Sequence, residues 1–241
     1  MKELEKMRKS LISRVSHELK TPLMSIRGVT ELFMGKHQYD LDQEDVDLLQ
    51  ILERGEKRLE ELIKNLIDIS RIEYNEVQLE KQYVDLSHLF KDCIFEMNHL
   101  INKKCLSLYL DIPSDLLLNI DPTRIEQVII NLLMNSIKNT PSNGKITIYG
   151  KKSPLKVEIS ICDTGIGLTE KEKEILFTRF GKIERNEEGL ENISIQGAGL
   201  GLFISKNIIE MHGGNIWAES DGRNKGSKFI FTLPTKFNLK N

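Results

Sequence analysis

Ser16-His17-Glu18-Leu19-Lys20-Thr21-Pro22-Leu23 sets a histidine directly before a carboxylate and one helical turn before a hydroxyl, in a chain of 241 residues. Apolar residues at Leu4, Met7, Leu11, Val15, Leu19, Pro22, Ile26, Val29 and Phe33 recur at three- and four-residue steps, the pattern of a long helix with one buried seam. In that frame Val15 and Leu19 face inward, while His17 faces solvent with Thr21 beside it on the same exposed stripe. With an ordinary pKa of about 6.5, an imidazole is mostly neutral near pH 7. It attacks through one ring nitrogen once the other shares its proton, and Glu18 stands where it accepts that proton. The octet therefore reads as a phosphoryl acceptor. A solvated histidine without a role is the competing reading for a lone His. Pro22 has no N–H for the carbonyl of Glu18, and an interior proline costs a helix about 3 kcal/mol, so a bend is expected at the reactive turn. The step from Leu11 to Val15 is one residue longer than a strict heptad gives, which shifts the seam just before His17, as at a joint between a coiled coil and a bundle.

Three further groups of residues match chemistry with phosphates and a base. Asn131, Asn135 and Lys138 fall at i, i+4 and i+7, one polar stripe beside an apolar face. Amide oxygens on such a stripe hold Mg2+ while the lysine meets phosphate oxygens; a tolerated surface asparagine is the bland alternative. Asp163-Thr164-Gly165-Ile166-Gly167 follows a strand, presenting a carboxylate beside glycines that let a ligand approach the backbone. Such a carboxylate accepts a hydrogen bond from the exocyclic amine of adenine, unless the stretch is an ordinary Asx turn. Gly197-Ala198-Gly199-Leu200-Gly201-Leu202 opens a helix whose free N–H groups and positive dipole end suit phosphate. No strand runs directly into it, so it is not a Rossmann turn. Between these loops, Gly181 to Gln196 is polar and poor in core residues, as a lid is. Its Glu184, Glu187, Glu188 and Glu191 also fit a plain solvated face.

The elements that must position these groups fall into two patterns. With 39% hydrophobic and 29% charged residues the chain can build two domains, and a net charge of −2 disfavours a nucleic-acid partner. No apolar run is long enough to cross a membrane, and three scattered cysteines fit a reducing compartment and no metal site. Gly35 to Asp42 is a polar break, with Asp42 as N-cap of a second long helix whose heptad seam is Leu48, Leu52, Gly55, Leu59, Leu62, Leu66 and Ile69. Two such helices make an antiparallel hairpin that would leave Leu49, Ile63 and Ile67 wet. A second copy completing a four-helix bundle would bury them, so a homodimer is expected; a hairpin packed on its own second domain is the alternative.

From Val77 onward strands and helices alternate: a strand over Val77 to Val84, a helix after an Asp85 cap, and a strand in Cys105 to Asp111. Asp121-Pro122 opens a helix carrying Ile125, Val128, Ile129, Leu132, Leu133 and Ile137. Strands follow at Lys145 to Lys151 and Lys156 to Cys162, then a short helix ending near Phe180. A helix from Leu200 to His212 stops at Gly213-Gly214, and two last strands reach Pro234. The expected fold is a two-domain α+β protein, a helical hairpin followed by an α/β sandwich with helices on one face of a mixed sheet. Residues 1–76 form the first domain and 77–241 the second, with polar Arg71 to Gln78 as the hinge.

The octet, the Asn131 stripe, the Asp163 loop, Phe177 to Phe180 and the Gly197 loop occur here in the order found in sensor histidine kinases of two-component systems. Almost end to end, the chain resembles their transmitter core: a dimerisation and histidine phosphotransfer domain with a coiled-coil lead-in, then a catalytic ATP-binding domain of the Bergerat, or GHKL, type shared with gyrase, Hsp90 and MutL. The resemblance implies that His17 is the phosphoacceptor, Glu18 the assisting base and Thr21 the residue that helps dephosphorylate a partner. It implies that Asn135 binds Mg2+, with Asn131 and Lys138 near the phosphates. Asp163 would read adenine, Gly165 and Gly167 would shape its pocket, and Gly197, Gly199 and Gly201 would bound the phosphates.

Three positions depart from the family's usual pattern: Asn139 replaces an aromatic or histidine, Gly181 a frequent aromatic, and Lys182 an arginine near the γ-phosphate. Lysine there offers a point charge without arginine's planar fork. The implied activity is autophosphorylation of His17 from ATP and Mg2+, then transfer to an aspartate of a response-regulator receiver domain, with phosphatase activity toward it. The implied setting is the cytoplasm, with a sensor domain upstream in a parent protein that is free or membrane-anchored. The rival readings are an ATP-driven clamp on the same nucleotide fold without a phosphohistidine, and a non-catalytic dimeric scaffold.

Overall fold

In the computed structural model, the described residues are 19, 22–33, 35, 42–74, 76–114, 116–179, 181 and 199–235. His17, Glu18, Thr21, Lys182 and Gly197 lie outside them, as do the phase step at Leu11 to Val15 and the turn before Pro22. Two compact units meet in sequence at Val77 and Gln78.

The first unit contains α1, helical over residues 22–33, and α2, Gln43–Glu73. Asp42 caps α2 by accepting from Asp45 N at 2.9 Å, and Tyr74 closes it with an N–H bond to Ser70 O. Helix α2 continues through Glu73, so the first part of the expected hinge, Arg71 to Glu73, is helical. Inside this unit the buried positions are Leu23 and Thr30 of α1 and Glu56, Ile63, Asp68, Ile69 and Ser70 of α2. Arg27 ties the helices together, its guanidinium 3.9 Å from Glu56 and 3.6 Å from Glu60.

This departs in part from the expected assignment of faces, although Ile69 of the second seam is buried as expected. Leu19, Ile26, Val29 and Phe33 of the first seam are exposed, as are Leu48, Leu52, Leu59 and Leu66 of the second, whereas Ile63 is buried. The physical reason is that two helices alone meet along one narrow line. Here that line runs through Leu23, Arg27 and Thr30, leaving the heptad leucines on the outside.

The second unit is built of β1 (Gln82–Asp85), α3 (Leu86–Lys103), β2 (Ser107–Asp111), β3 (Leu117–Ile120), α4 (Pro122–Asn139), β4 (Lys145–Lys152), β5 (Lys156–Asp163), α5 (Glu170–Ile175), α6 (Gly201–Met211), β6 (Ile216–Glu219) and β7 (Ser227–Pro234). Five strands form one sheet in the order β2-β4-β5-β7-β6, parallel between β2 and β4 and antiparallel elsewhere. Alternate residues of the central strands, Ile146 and Ile148, Val157, Ile159 and Ile161, and Phe229, Phe231 and Leu233, are buried on one face. They form one core with the apolar stripes of α3, α4 and α6.

Two details differ from the pattern reading. Strand β1 covers only Gln82–Asp85 because its partner β3, which the sequence pattern leaves unassigned, turns into the α4 cap directly after Ile120, opposite Gln82. Upstream, Glu80 N–H bonds the Asp121 carboxylate at 3.0 Å instead of a strand. Helix α5 stops at Ile175, short of Phe180, and is started by a reciprocal Thr169–Glu172 capping box.

Both ends of α4 are held. At its start, Asp121 caps Arg124 N at 3.1 Å, and its own N–H donates to Nε2 of His212 at 3.0 Å. His212 is 4% exposed, and its Nδ1–H donates to Ile208 O at 2.8 Å, so only one neutral tautomer serves both contacts. Burial lowers the His212 pKa, helped by Lys81 and opposed by the Ile208 carbonyl and the Asp121 charge. The folded state therefore favours the neutral ring, while the unfolded chain takes up a proton near pH 6.5. Stability from this group is complete above about pH 6.5 and is lost as pH falls below it, by up to about 1.4 kcal/mol per pH unit. Urea midpoints measured from pH 7.5 to 5 are expected to fall more steeply for the native chain than for His212→Gln; equal slopes would assign the titration to other groups.

Candidate functional site

The apolar stripe of α4 is buried to the last turn, and this leaves Asn131, Asn135 and Lys138 along its half-buried flank. The Asn131 amide donates to Gly201 O and to Ser205 Oγ of α6, each at 3.3 Å. One member of the polar stripe is thus bonded to the glycine that opens α6. The N-cap of α6, Leu200, makes no side-chain bond to the first turn, and Gly199 before it has φ +70°. The first-turn N–H groups of such a helix have no partner within it. Asn135 presents Oδ1 and its backbone oxygen to the amide of Asn139, at 3.0 and 2.8 Å. The Arg179 guanidinium lies 5.2 Å from the centre of the Phe203 ring in the same first turn of α6.

Asp163 is the last residue of β5 and is 7% exposed. Oδ1 accepts from Gly165 N at 2.8 Å and Ser227 N at 3.2 Å; Oδ2 accepts from Ser227 Oγ at 2.5 Å and Ser136 Oγ at 3.5 Å. Burial raises its pKa above the ordinary carboxylate value, against the pull of the bonds from Ser227, Gly165 and Ser136.

The loop after Asp163 is fixed on two sides. Ile166 N donates to Asn139 O at the end of α4, while Gly226 N and Asn224 N, from the turn between β6 and β7, donate to Gly165 O and Ile166 O. Leu168 N donates to Ser220 Oγ in that same turn. A Cβ on Gly165 would overlap Asn139 O. One on Gly167, where φ is +67°, would overlap Gly222 O. Both glycines are therefore demanded by backbone contact. Arg223 reaches from the turn to Glu172 of α5 at 2.7 Å.

Four residues singled out in sequence are thus linked in two pairs by direct contacts, Asn131 with Gly201 and Asp163 with Gly165. Sequence reasoning missed Ser227 and Ser136, the side chains that hold Asp163, and the whole β6–β7 turn. The glycine-rich stretch Gly222 to Ser227 is legible as a turn. Its meeting with Asp163 follows from the register that sets Ser227 opposite it.

Two family models match the chain. The His Kinase A phospho-acceptor domain matches residues 7–75, and the histidine kinase, DNA gyrase B and HSP90-like ATPase matches residues 120–236. The chain is 34% identical over 96% of its length to ycf26 of Pyropia yezoensis, an uncharacterized sensor-like histidine kinase, and spans 36% of that protein. It spans under two thirds of the length of the curated relatives that it matches. Among solved structures, the catalytic domain of the histidine kinase ThkA superposes with a TM-score of 0.57 at 33% identity, covering 65% of this chain and 99% of that one. ThkA in complex with the response regulator TrrA superposes with a TM-score of 0.61 at 26% identity, covering 96% and 64%.

Ser227→Ala removes one bond that holds the Asp163 pKa down, and is expected to raise that pKa further in a carboxyl NMR titration; an unchanged titration would refute the contact. Gly167→Ala forces a side chain into the left-handed region against Gly222 O. It is expected to cost more than about 1 kcal/mol in urea unfolding, and an unchanged midpoint would refute the close contact.

Proposed function

This chain belongs to the sensor histidine kinase family, and from that premise we propose that it is an ATP-dependent kinase core that phosphorylates its own His17 and passes the phosphoryl group to an aspartate of a response-regulator receiver domain. The carrying observation is the contact of the α4 polar stripe with the opening of α6, where the Asn131 amide bonds Gly201 O and the first turn has no side-chain cap. Amide oxygens for a hard cation and backbone donors for phosphate oxygens are thereby brought to one place.

The residues present suit both ligands. Asn131 and Asn135 offer neutral oxygens, the donor type for Mg2+, which takes its remaining ligands from water and phosphate. When bound, Mg2+ offsets charge on the phosphates. Asp163 suits adenine: four donors meet the about four acceptor sites of its carboxylate, and the 3.5 Å contact from Ser136 is the weakest, the one that an exocyclic amine would replace. In this reading Gly165 and Gly167 shape the base pocket, and Gly197, Gly199 and Gly201 give N–H groups to the phosphates. Lys138 and Lys182 add positive charge there. A ring nitrogen of His17 attacks the γ-phosphorus in line, and Glu18 takes the proton from the other nitrogen. Residues 1–76 act as the phosphotransfer domain and 77–241 as the nucleotide-binding domain. The non-helical residues 76–78, within the expected hinge, serve as the hinge between them.

Two partners belong to the same proposal. A second copy covers the exposed leucines of α2 and completes a four-helix bundle. A receiver domain is supported by the likeness to ThkA, a kinase solved with its response regulator. Thr21 assists removal of the phosphoryl group from that partner. The described helices include none long and apolar enough to cross a membrane, and the three unpaired cysteines suit the cytoplasm.

Incubation of the purified chain with γ-labelled ATP is expected to give acid-labile label on the native protein and none on His17→Gln, which still binds ATP. Phosphate release without labelling would instead favour the clamp, and neither signal the scaffold. Asp163→Asn is expected to weaken ATP binding by about tenfold to a hundredfold, as for loss of a charged hydrogen-bond acceptor. Thr21→Ala should slow dephosphorylation of the receiver while autophosphorylation stays within about twofold.

A further inference from the structure

Helix α4 ends in four carbonyls, those of Ser136, Ile137, Lys138 and Asn139, that have no partner within the helix. Ser136 O accepts from Thr140 N and Thr140 Oγ1, and Asn139 O accepts from Ile166 N of the loop after Asp163. The other two are met by one side chain from outside the helix. Lys104 Nζ donates to Ile137 O at 2.8 Å, to Lys138 O at 3.0 Å, and just past the helix end to Thr140 O at 2.7 Å. Every proton of the ammonium group has an acceptor. Lys104 is 8% exposed, whereas its neighbour Lys103 is exposed, and burial lowers the Lys104 pKa. A buried ammonium pays a desolvation cost that these carbonyl bonds and the negative end of the helix dipole offset.

The same residue holds the next turn through its backbone. Asn143 N donates to Lys104 O at 3.0 Å, and Gly144 O accepts from Ser107 N at 2.9 Å. Both the end of α4 and the turn leading into β4 therefore hang from Lys104. Asn139 O, between the Lys138 and Thr140 carbonyls that Lys104 grips, is the point on which the Asp163–Gly167 loop rests. Gly165 packs there without room for a Cβ. Lys138 rides on that last turn as well.

We propose that Lys104 is a positioning residue of the nucleotide site, which holds the last turn of α4 where Lys138 and the Asp163–Gly167 loop meet an adenine nucleotide, and so sets affinity without touching the ligand. The inference rests on the kinase reading. In the whole chain, Lys104→Met is expected to raise the KM for ATP with Mg2+ by about tenfold while kcat at saturation stays within about twofold, the split expected when ground-state placement is lost. Hydrogen exchange should quicken at the Ile166 amide and remain slow at Ile159 and Phe231 in the sheet. Lys104→Arg, which keeps the charge and the donors, should recover most of the affinity. Lys104→Gln, with fewer donors and no charge, should fall between and serves in place of the methionine variant if that one does not fold. Native KM and native Ile166 protection in Lys104→Met and Lys104→Gln would overturn the inference, as would loss of protection spread equally through the sheet. A native chain that fails to bind ATP would instead overturn the kinase reading.

Discussion

A carboxylate taken out of water at the end of a central strand is the constraint around which the second unit is arranged. Asp163 must find donors for both oxygens, because an unpaired buried charge costs several kcal/mol. Three come from directions that fix the surroundings: Gly165 from its own loop, and the amide and hydroxyl of Ser227 from the neighbouring strand. To reach it, the loop must run so close to the end of α4 and the β6–β7 turn that no side chain fits at residues 165 and 167. The carboxylate, the two glycines and the serine are one interlocked answer to a single electrostatic demand.

Helix α4 is the beam that carries this arrangement. Its apolar face is sealed into the core, which removes rotation about its axis as a freedom, and its ends are gripped by partners from elsewhere. Asp121 and His212 hold the start, where a neutral imidazole is both donor and acceptor. Lys104 holds the finish, where carbonyl dipoles collect. Between these anchors the polar flank has little room to shift. That rigidity suits the proposed role of its amide oxygens, since a neutral oxygen holds a cation only when geometry is right.

The helical unit shows the opposite balance. Its two helices share a small interior in which Glu56 and Asp68 are buried alongside Ile63 and Leu23, and the larger apolar residues point outward. A hairpin so arranged leaves much apolar surface wet, which is costly for an isolated pair of helices and natural for one half of a larger bundle. The same physics that makes the second unit self-sufficient leaves this one to be completed, in the proposed reading, by a second copy.

Much was legible along the chain because helices and strands repeat with periods that local residues reveal. The caps Asp42, Asp85 and Asp121, the α4 stripe and the strand alternation of β4, β5 and β7 all follow from side chains a few residues apart. The leucines of the hairpin seam lie exposed, with Ile69 buried, because the heptad describes a surface that the single chain does not close. The β1 boundary was missed because it depends on where a distant strand turns into a helix.

By itself, the order and spacing of residues determined the two-part α+β plan and which polar groups stand out from each helix and loop. Only the tertiary structure decided that Ser227 and Ser136 hold Asp163, that Lys104 closes α4, and that the leucine seam stays outside. Those partners lie tens of residues apart and are joined by strand register and by the need of buried carbonyls and carboxylates for donors, which no local pattern records.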